Sequence, residues 1–229
     1  MKIALLVPTR NRPHNIERFI KSVLDTANNV DDISISLYID DDDDSYDKLK
    51  FTRPKVTITR GPRVVLSEMW NRAYDAVKDD ADIFFHGGDD IIFRSDNWDA
   101  LIKNMFSSYE DKILFVHGDD MSDVHRNNFG THGFIHKNWV DAVGYFVPPY
   151  FSSDFNDTWL NDVANALDRR IYIDAIKTEH MHYVFGKSEK DQTHEERLAR
   201  HANDRVDEIY RAKKPERDAD VEKLRKVMK

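Results

Sequence analysis

The chain has 229 residues, a formal net charge of −8, 40% hydrophobic and 33% charged residues, and no cysteine. That length suits one decorated domain, or at most two small ones, and buries enough apolar surface to fold without staples. The missing cysteines exclude a disulfide scaffold, a Cys-ligated zinc, an iron–sulfur cluster and a thiol nucleophile, and no run approaches the ~18 apolar residues of a membrane-spanning helix.

Ile3 to Val7 is a continuous apolar run ending at Pro8, which predicts a buried parallel strand. It lacks a small-residue cleavage site, so it does not read as a signal peptide, and the expected location is cytoplasmic. After Arg10-Asn11-Arg12-Pro13, a helix is predicted with Ile16, Phe19, Ile20, Val23 and Leu24 on one face. Ile33 to Ile39 reads as a second strand and runs into Asp40 to Asp44. Val56 to Thr59 is a third strand, stopped by Gly61-Pro62. Leu66 to Val77 has helical spacing, and Ile83 to Phe85 is a fourth strand ending at His86-Gly87-Gly88-Asp89-Asp90. A helix around Trp98 to Phe106 and a strand Ile113 to Val116 follow. The alternation predicts an α/β sandwich with a mainly parallel sheet.

The middle is less regular. Phe129 to Ile135, with two glycines, reads as a strand leaving the parallel pattern. Asn138 to Val143 and Asn156 to Leu167 read as helices, and Ile171 to Ile173 as a short strand. From Ser188 the character changes. Residues 188–229 carry 12 Lys/Arg and 11 Asp/Glu, net +1, so residues 1–187 carry 22 and 31, net −9. Leu198, Ala202, Val206 and Ile209 recur at helical spacing, and Pro215 divides them from Val221, Leu224 and Met228. A helical appendage, a partner-binding or oligomerising element and partial disorder all fit this composition.

Three polar clusters stand at strand ends, where open α/β sheets bind ligands: Pro8-Thr9-Arg10, Asp40 to Asp44, and Gly87-Gly88-Asp89-Asp90. Neighbouring acidic clusters repel unless a cation relieves them, and carboxylate oxygen suits magnesium or manganese. Arg10, Arg60 and Arg63 are candidates to face phosphates. The plain alternative for Asp40 to Asp44 is a solvated acidic turn. For Asp89-Asp90 it is a turn with helix-capping aspartates. No Gly-x-Gly-x-x-Gly follows the first strand and no Gly-Lys-Ser/Thr loop occurs, which disfavours dinucleotide oxidoreductases and P-loop enzymes.

Taken in order, these motifs resemble the family 2 glycosyltransferases of GT-A fold, over roughly residues 1–187. The resemblance rests on Leu6-Val7-Pro8-Thr9-Arg10-Asn11-Arg12, Ile39-Asp40-Asp41, Asn71, Gly88-Asp89-Asp90, Asn156-Asp157 and His182. It implies a catalytic domain over 1–187 and a charged helical extension over 188–229. It implies that Pro8, Thr9, Arg10, Asp40 and Asp41 hold the nucleotide of a nucleotide-diphosphate sugar such as a UDP-sugar, with Asn71 and Gly88 lining that site. Asp89, with Asp90 beside it, would hold Mn2+ or Mg2+, completed by His182. Asp157 would be the general base on the acceptor hydroxyl, and inversion at the anomeric carbon is expected.

The stretch Glu179-His180-Met181-His182-Tyr183…Gly186-Lys187…Asp191-Gln192-Thr193 is similar to the end of some bacterial and phage members. In those, the residue matching Lys187 lies near the donor diphosphate. Arg63 and Lys187 would add positive charge there. The chain departs from the family at Gly87, where Asp is usual, at Asn156, where Glu is usual, and at Trp70, where Arg is common.

Some readings stay open at this level. Asp154 rivals Asp157 as base, and His180, two residues before His182, would share its strand face. His132 and His136 are either acceptor-pocket or surface residues, with surface favoured. Trp139, Tyr150, Phe151 and Trp159 are ring-stacking or core residues. A nucleotidyltransferase and a non-catalytic binding module are the competing functions. The acceptor hydroxyl belongs to a saccharide, a lipid-linked sugar, a protein or a modified DNA base.

Overall fold

The computed structural model describes all 229 residues. The first apolar run forms β1 (Ile3–Thr9), buried along its whole length. It pairs in parallel with β2 (Ile33–Asp40) on one side and β4 (Ile83–His86) on the other, and β3 (Lys55–Gly61) adds to β2. Side chains alternate across β1. Ile3, Leu5 and Val7 meet Ile16, Phe19 and Val23 of α1 (Pro13–Thr26) and Ile102 and Phe106 of α3 (Trp98–Ser107). Ala4 and Leu6 face the opposite core, with Ala73 of α2 (Leu66–Asp75), Val140 of α4 (Lys137–Val143) and Leu160 of α5 (Asn156–Ala166). Burial on both faces explains why the run carries no polar alternation. Each large apolar side chain buried there contributes about 1.5–3 kcal/mol.

The sheet has eight strands in the order β3-β2-β1-β4-β7-β6-β8-β5, where β5 is Ile91–Phe93, β6 Phe115–Asp119, β7 Gly133–His136 and β8 Arg170–His180. The parallel pattern breaks at β7, which pairs antiparallel with β4 and β6. Strand β5 pairs antiparallel with the end of β8, so Ile91 stands opposite His180. The expectation at Ile171 to Ile173 was too short, because β8 runs eleven residues, and β5 was not expected. Leu24 is 37% exposed, at the edge of the α1 face rather than on it.

The charged tail is three helices, α6 (Gln192–Asn203), α7 (Val206–Ala212) and α8 (Lys214–Arg225). Asp191 and His194 form a reciprocal capping box at the start of α6. One break, not expected, falls at Arg205, in the left-handed region at φ 52°, and a second at Lys213, beside the expected division at Pro215. Pro215 lies in the first turn of α8, where its missing N–H leaves no hydrogen bond unmade. Val206, Val221 and Leu224 are buried in the same core as Trp159 and Leu160. Asp220 accepts hydrogen bonds from Trp159 Nε1 (3.2 Å) and Tyr145 Oη. Leu198 points outward instead, 40% exposed. No helix is long and apolar enough to cross a membrane.

Candidate active site

A cleft of about 250 Å³ opens at the carboxyl ends of β1, β2 and β4. Its other walls are α2, the start of α5, the segment after β8, and α6. Of the expected site residues it brings together Pro8, Thr9, Arg10, Asp40, Arg63, Gly88, Asp89, Asp90, Asp157 and His182.

Four residues stand elsewhere. Asp41 is exposed on the turn after β2. Asn71 ties α2 to the chain around Val147. Its Nδ2 donates to the carbonyls of Ser67 (3.0 Å) and Val147 (2.9 Å), and its Oδ1 accepts from the amides of Phe146 (2.9 Å) and Val147 (3.2 Å). Lys187 Nζ donates to the Met121 carbonyl (2.9 Å) and pairs with Glu179 (3.2 Å), outside the cleft. Arg60 also points away, to the Asp43 carbonyl and to Asp47.

The acidic run after β2 splits by burial. Asp40 and Asp43 are buried, and Asp41, Asp42 and Asp44 are exposed. Arg10 bridges Asp40 Oδ2 (2.8 Å) and Asp42 Oδ1 (2.5 Å). Asp40 Oδ1 is buried with no partner. Burial raises the Asp40 pKa, although Arg10 opposes it.

Asp89 is turned into the protein. Its Oδ2 accepts from Thr9 Oγ1 (2.7 Å), and its Oδ1 from Arg12 Nη1 (3.2 Å) and Asn15 Nδ2 (3.4 Å). Burial pushes its pKa up against the pull of Arg12. Arg12 reaches on to the tail, donating through Nε and Nη2 to both oxygens of Asp191 (2.7 and 2.6 Å).

Asp90 is in a different situation. Burial would raise its pKa, but the charge and hydrogen bond of His180 (Nε2 to Oδ2, 3.2 Å), with Arg12 and His182 behind, hold it well below the usual carboxylate range. The His182 ring lies 5.1 Å from the His180 ring, and burial lowers its pKa to about 4. His182 Nδ1 accepts from the Val184 amide (3.3 Å).

The family's Asp cannot fit at position 87. A Cβ there would lie 2.2 Å from Cε1 of the buried Phe85 ring, and Trp70 Nε1 donates to the Gly87 carbonyl (3.1 Å). A Cβ at Gly88 would sit 2.9 Å from Asp90 Oδ1. The two glycines therefore let the turn pack closely and keep that oxygen clear.

At the far end, Asp157 is the second residue of α5. Its Oδ1 accepts from the Thr158 amide (2.7 Å), and its Oδ2 has no protein partner. Burial pushes its pKa up to about 6, with the Thr158 amide opposing and Asp154 assisting. Asp154 has both oxygens taken, by Arg197 and by His201 (2.6 Å).

Several cleft residues were not anticipated: Arg12 as the partner of Asp89, His86 at the end of β4, and Thr193, His194, Glu196, Arg197 and Arg200 of α6. The recurrence of His194, Arg197 and His201 at helical spacing is the signal that could have found the last group. Arg63 pairs with Glu196, whereas Arg200 has no acidic partner and its buried Nε is unbonded. His132 and His136 are buried, not surface residues. His132 lines the cleft and bonds Thr178 Oγ1 (2.9 Å), and His136 caps α4. Trp139, Tyr150, Phe151 and Trp159 belong to the core and its flank.

No family model and no curated protein matches the chain. Among solved structures it is similar to S. aureus TarS, with TM-score 0.56 and 12% identity over 76% of this chain and 35% of that one. It is similar to TarS 1-349 in complex with UDP-GlcNAc, with TM-score 0.58 and 12% identity over 86% of this chain and 64% of that one. It is also similar to the mannosyltransferase PcManGT from Pyrobaculum calidifontis in complex with GDP-Man and Mn2+, with TM-score 0.57 and 11% identity over 99% of this chain and 73% of that one. The chain thus spans about a third of the longer TarS chain and just under two thirds of the shorter. At 11–12% identity the likeness is one of fold, and the fold is that of the GT-A glycosyltransferases.

Proposed function

We propose that the chain is a glycosyltransferase moving a glycosyl unit from a nucleotide-diphosphate sugar to an acceptor hydroxyl, with a divalent cation and with inversion. One contrast inside the cleft carries the reading: Asp90 is bonded by His180 and held ionised, while Asp157 keeps one oxygen free and burial pushes its pKa up to about 6. Two carboxylates pushed apart in pKa suit two tasks, charge balance at a leaving group and proton removal. Asp157, with a free oxygen, is the base for the acceptor hydroxyl, and a positioned base is worth about 100- to 10,000-fold in rate. Asp154 is the weaker candidate because its oxygens are already paired.

At the other end, the unpartnered Asp40 Oδ1 suits an N–H or O–H of the nucleotide. Arg10 holds that carboxylate in place, Thr9 bonds Tyr46 and Asp89 beside it, and Arg63 and Arg200 supply positive charge nearby. Residues 1–187 are the donor-binding body, and residues 188–229 an extension that completes its wall.

The cation needs a fit. No group of three carboxylate or imidazole donors converges in the structure, and Asp89 has both oxygens engaged. Asp90 Oδ1 and His182 Nε2 have no protein partner, and such a pair fits an open magnesium- or manganese-type site completed by phosphate oxygens and water. Asp90 and His182 are therefore the holders, with Asp89 acting behind them through Arg12. When bound, the ion offsets charge on the diphosphate.

The test is calorimetric titration with UDP, GDP, UDP-GlcNAc and GDP-mannose, with and without Mn2+. Metal-strengthened binding of at least one is expected. No binding by any of them, in either condition, removes the proposal.

A further inference from the structure

The wall formed by α2, the end of β4 and the start of α5 carries polar atoms with nothing to bond. His86 is 4% exposed, and neither of its ring nitrogens has a hydrogen-bond partner. Asn156 is 2% exposed. Its Oδ1 accepts from Ser67 Oγ (2.8 Å), and its Nδ2 has no partner. Both residues line the cleft.

They are linked through α2. Ser67, which holds Asn156, and Trp70, whose ring lies 4.2 Å from the His86 ring, are one helical turn apart on its inner face. The two side chains therefore flank one stretch of the cleft, and Asn156 precedes Asp157 in the chain. Burial keeps the His86 imidazole neutral, its pKa pushed down to about 3 with His132 assisting. A neutral imidazole offers one donor and one acceptor, and the Asn156 amide adds a donor.

Native proteins pair nearly all buried polar groups, and leaving one unpaired is costly. Three such atoms on one cleft wall are a cost the fold does not recover by itself. Trp70 and Met69 add apolar surface beside them. Apolar area with a few convergent neutral donors and acceptors matches a hydroxylated ring, and lacks the paired charges a phosphate would meet across the cleft.

We propose that His86 and Asn156 form a hydroxyl-recognition subsite that binds the hydroxyls of a neutral glycosyl ring next to Asp157. The assignment of that ring as glycosyl rests on the glycosyltransferase reading. The ring comes from the donor or from the acceptor, and the two give different results.

The experiment uses the full chain and His86→Phe, which keeps ring packing on Trp70 and removes both ring nitrogens. Affinities for UDP, UDP-GlcNAc, GDP and GDP-mannose are measured by calorimetry. Binding of N-acetylglucosamine and mannose is followed by saturation-transfer NMR. The variant should keep or raise Tm, because an unbonded polar group is gone, and should keep nucleotide affinity within about twofold. The gain of the nucleotide-sugar over its nucleotide should fall about tenfold if the donor ring sits there.

If that gain persists while monosaccharide binding is lost, the subsite belongs to the acceptor. If both persist, or if the intact chain binds neither a nucleotide-sugar nor a monosaccharide, the subsite is refuted. If only the nucleotides fail to bind, the donor reading falls, and the monosaccharide result still decides the subsite. Should the variant not fold, 15N imidazole shifts of His86 in the intact chain serve instead. They must move on adding the sugar that binds, and unmoved shifts reject the proposal.

Discussion

Along the wall made by β1, β2 and α6, charges are matched before any ligand arrives. Arg10 sits between Asp40 and Asp42, Arg12 between Asp89 and Asp191, and Arg63 on Glu196, with Arg200 the exception. Across the cleft, α2, β4 and α5 present the Trp70 ring with His86 and Asn156, neutral groups of which the last two have open hydrogen-bonding positions. The charged wall is a structural truss as much as a binding surface. Its buried pairs carry a desolvation cost that only intact geometry offsets. The unbonded polar atoms of the neutral wall add nothing to stability and are open to a ligand. Damage to the two should therefore look different, with folding lost on one side and chemistry lost on the other.

The largest expected effect lies on the chemical side. Asp157→Asn should lower transfer by about 100- to 10,000-fold and leave nucleotide affinity intact. Steady-state rates and calorimetry read the two quantities, and retained turnover would hand the base to another residue. In the intact chain the transfer rate should fall as pH drops through about 6 and Asp157 takes up a proton. The sign for stability is the reverse. A carboxyl whose folded pKa is raised binds more protons folded than unfolded, so stability declines as pH rises from about 4 to 6. Asp157→Asn should remove that decline and raise Tm at neutral pH.

On the charged wall, Arg12→Ala leaves Asp89 buried without its cation. A loss of about 3–5 kcal/mol in chemical denaturation is expected. Asp191→Ala removes a partner that is 44% exposed and should cost about 1 kcal/mol or less. Equal losses for the two would show that Asp89 is not the member of the network that needs Arg12.

Within the tail, Leu224→Ala should cost about 2–5 kcal/mol because the side chain is fully buried. Leu198→Ala should stay within about 0.5 kcal/mol. Arg200→Ala should weaken nucleotide binding about tenfold or less with Tm unchanged, since its guanidinium pairs with no acid. A drop in Tm with affinity unaltered would move Arg200 from recognition to structure.

Much of the sheet was legible because its information is local. The apolar run of β1, the strand ends at Asp40 and His86, and the face of α1 are patterns within a few residues. Strand β8 was cut short because its inward positions beyond Ile173 include Thr178 and His180, which carry no apolar alternation. Strand β5 is three residues long and exists by pairing with β8. The tail was hardest. It docks through Val206, Val221 and Leu224 and through ion pairs to distant residues, and neither its composition nor its period reveals those partners.

In the candidate site, Arg12 stood inside the quoted motif, yet its role depends on Asp191, 179 residues away. His86 was passed over because one histidine after an apolar strand has no pattern to betray it.

The clasp between Arg12 and Asp191 also sets an order of events at the ribosome. At a synthesis rate of about 5–20 residues per second, roughly 10–40 s separate the emergence of the two halves of that clasp. Asp89, 77 residues after Arg12, is made well before Asp191, so the guanidinium can meet its buried partner before its exposed one. The cleft is closed by α6, the last-made of its walls, so its closure waits on a helix that follows every strand of the sheet.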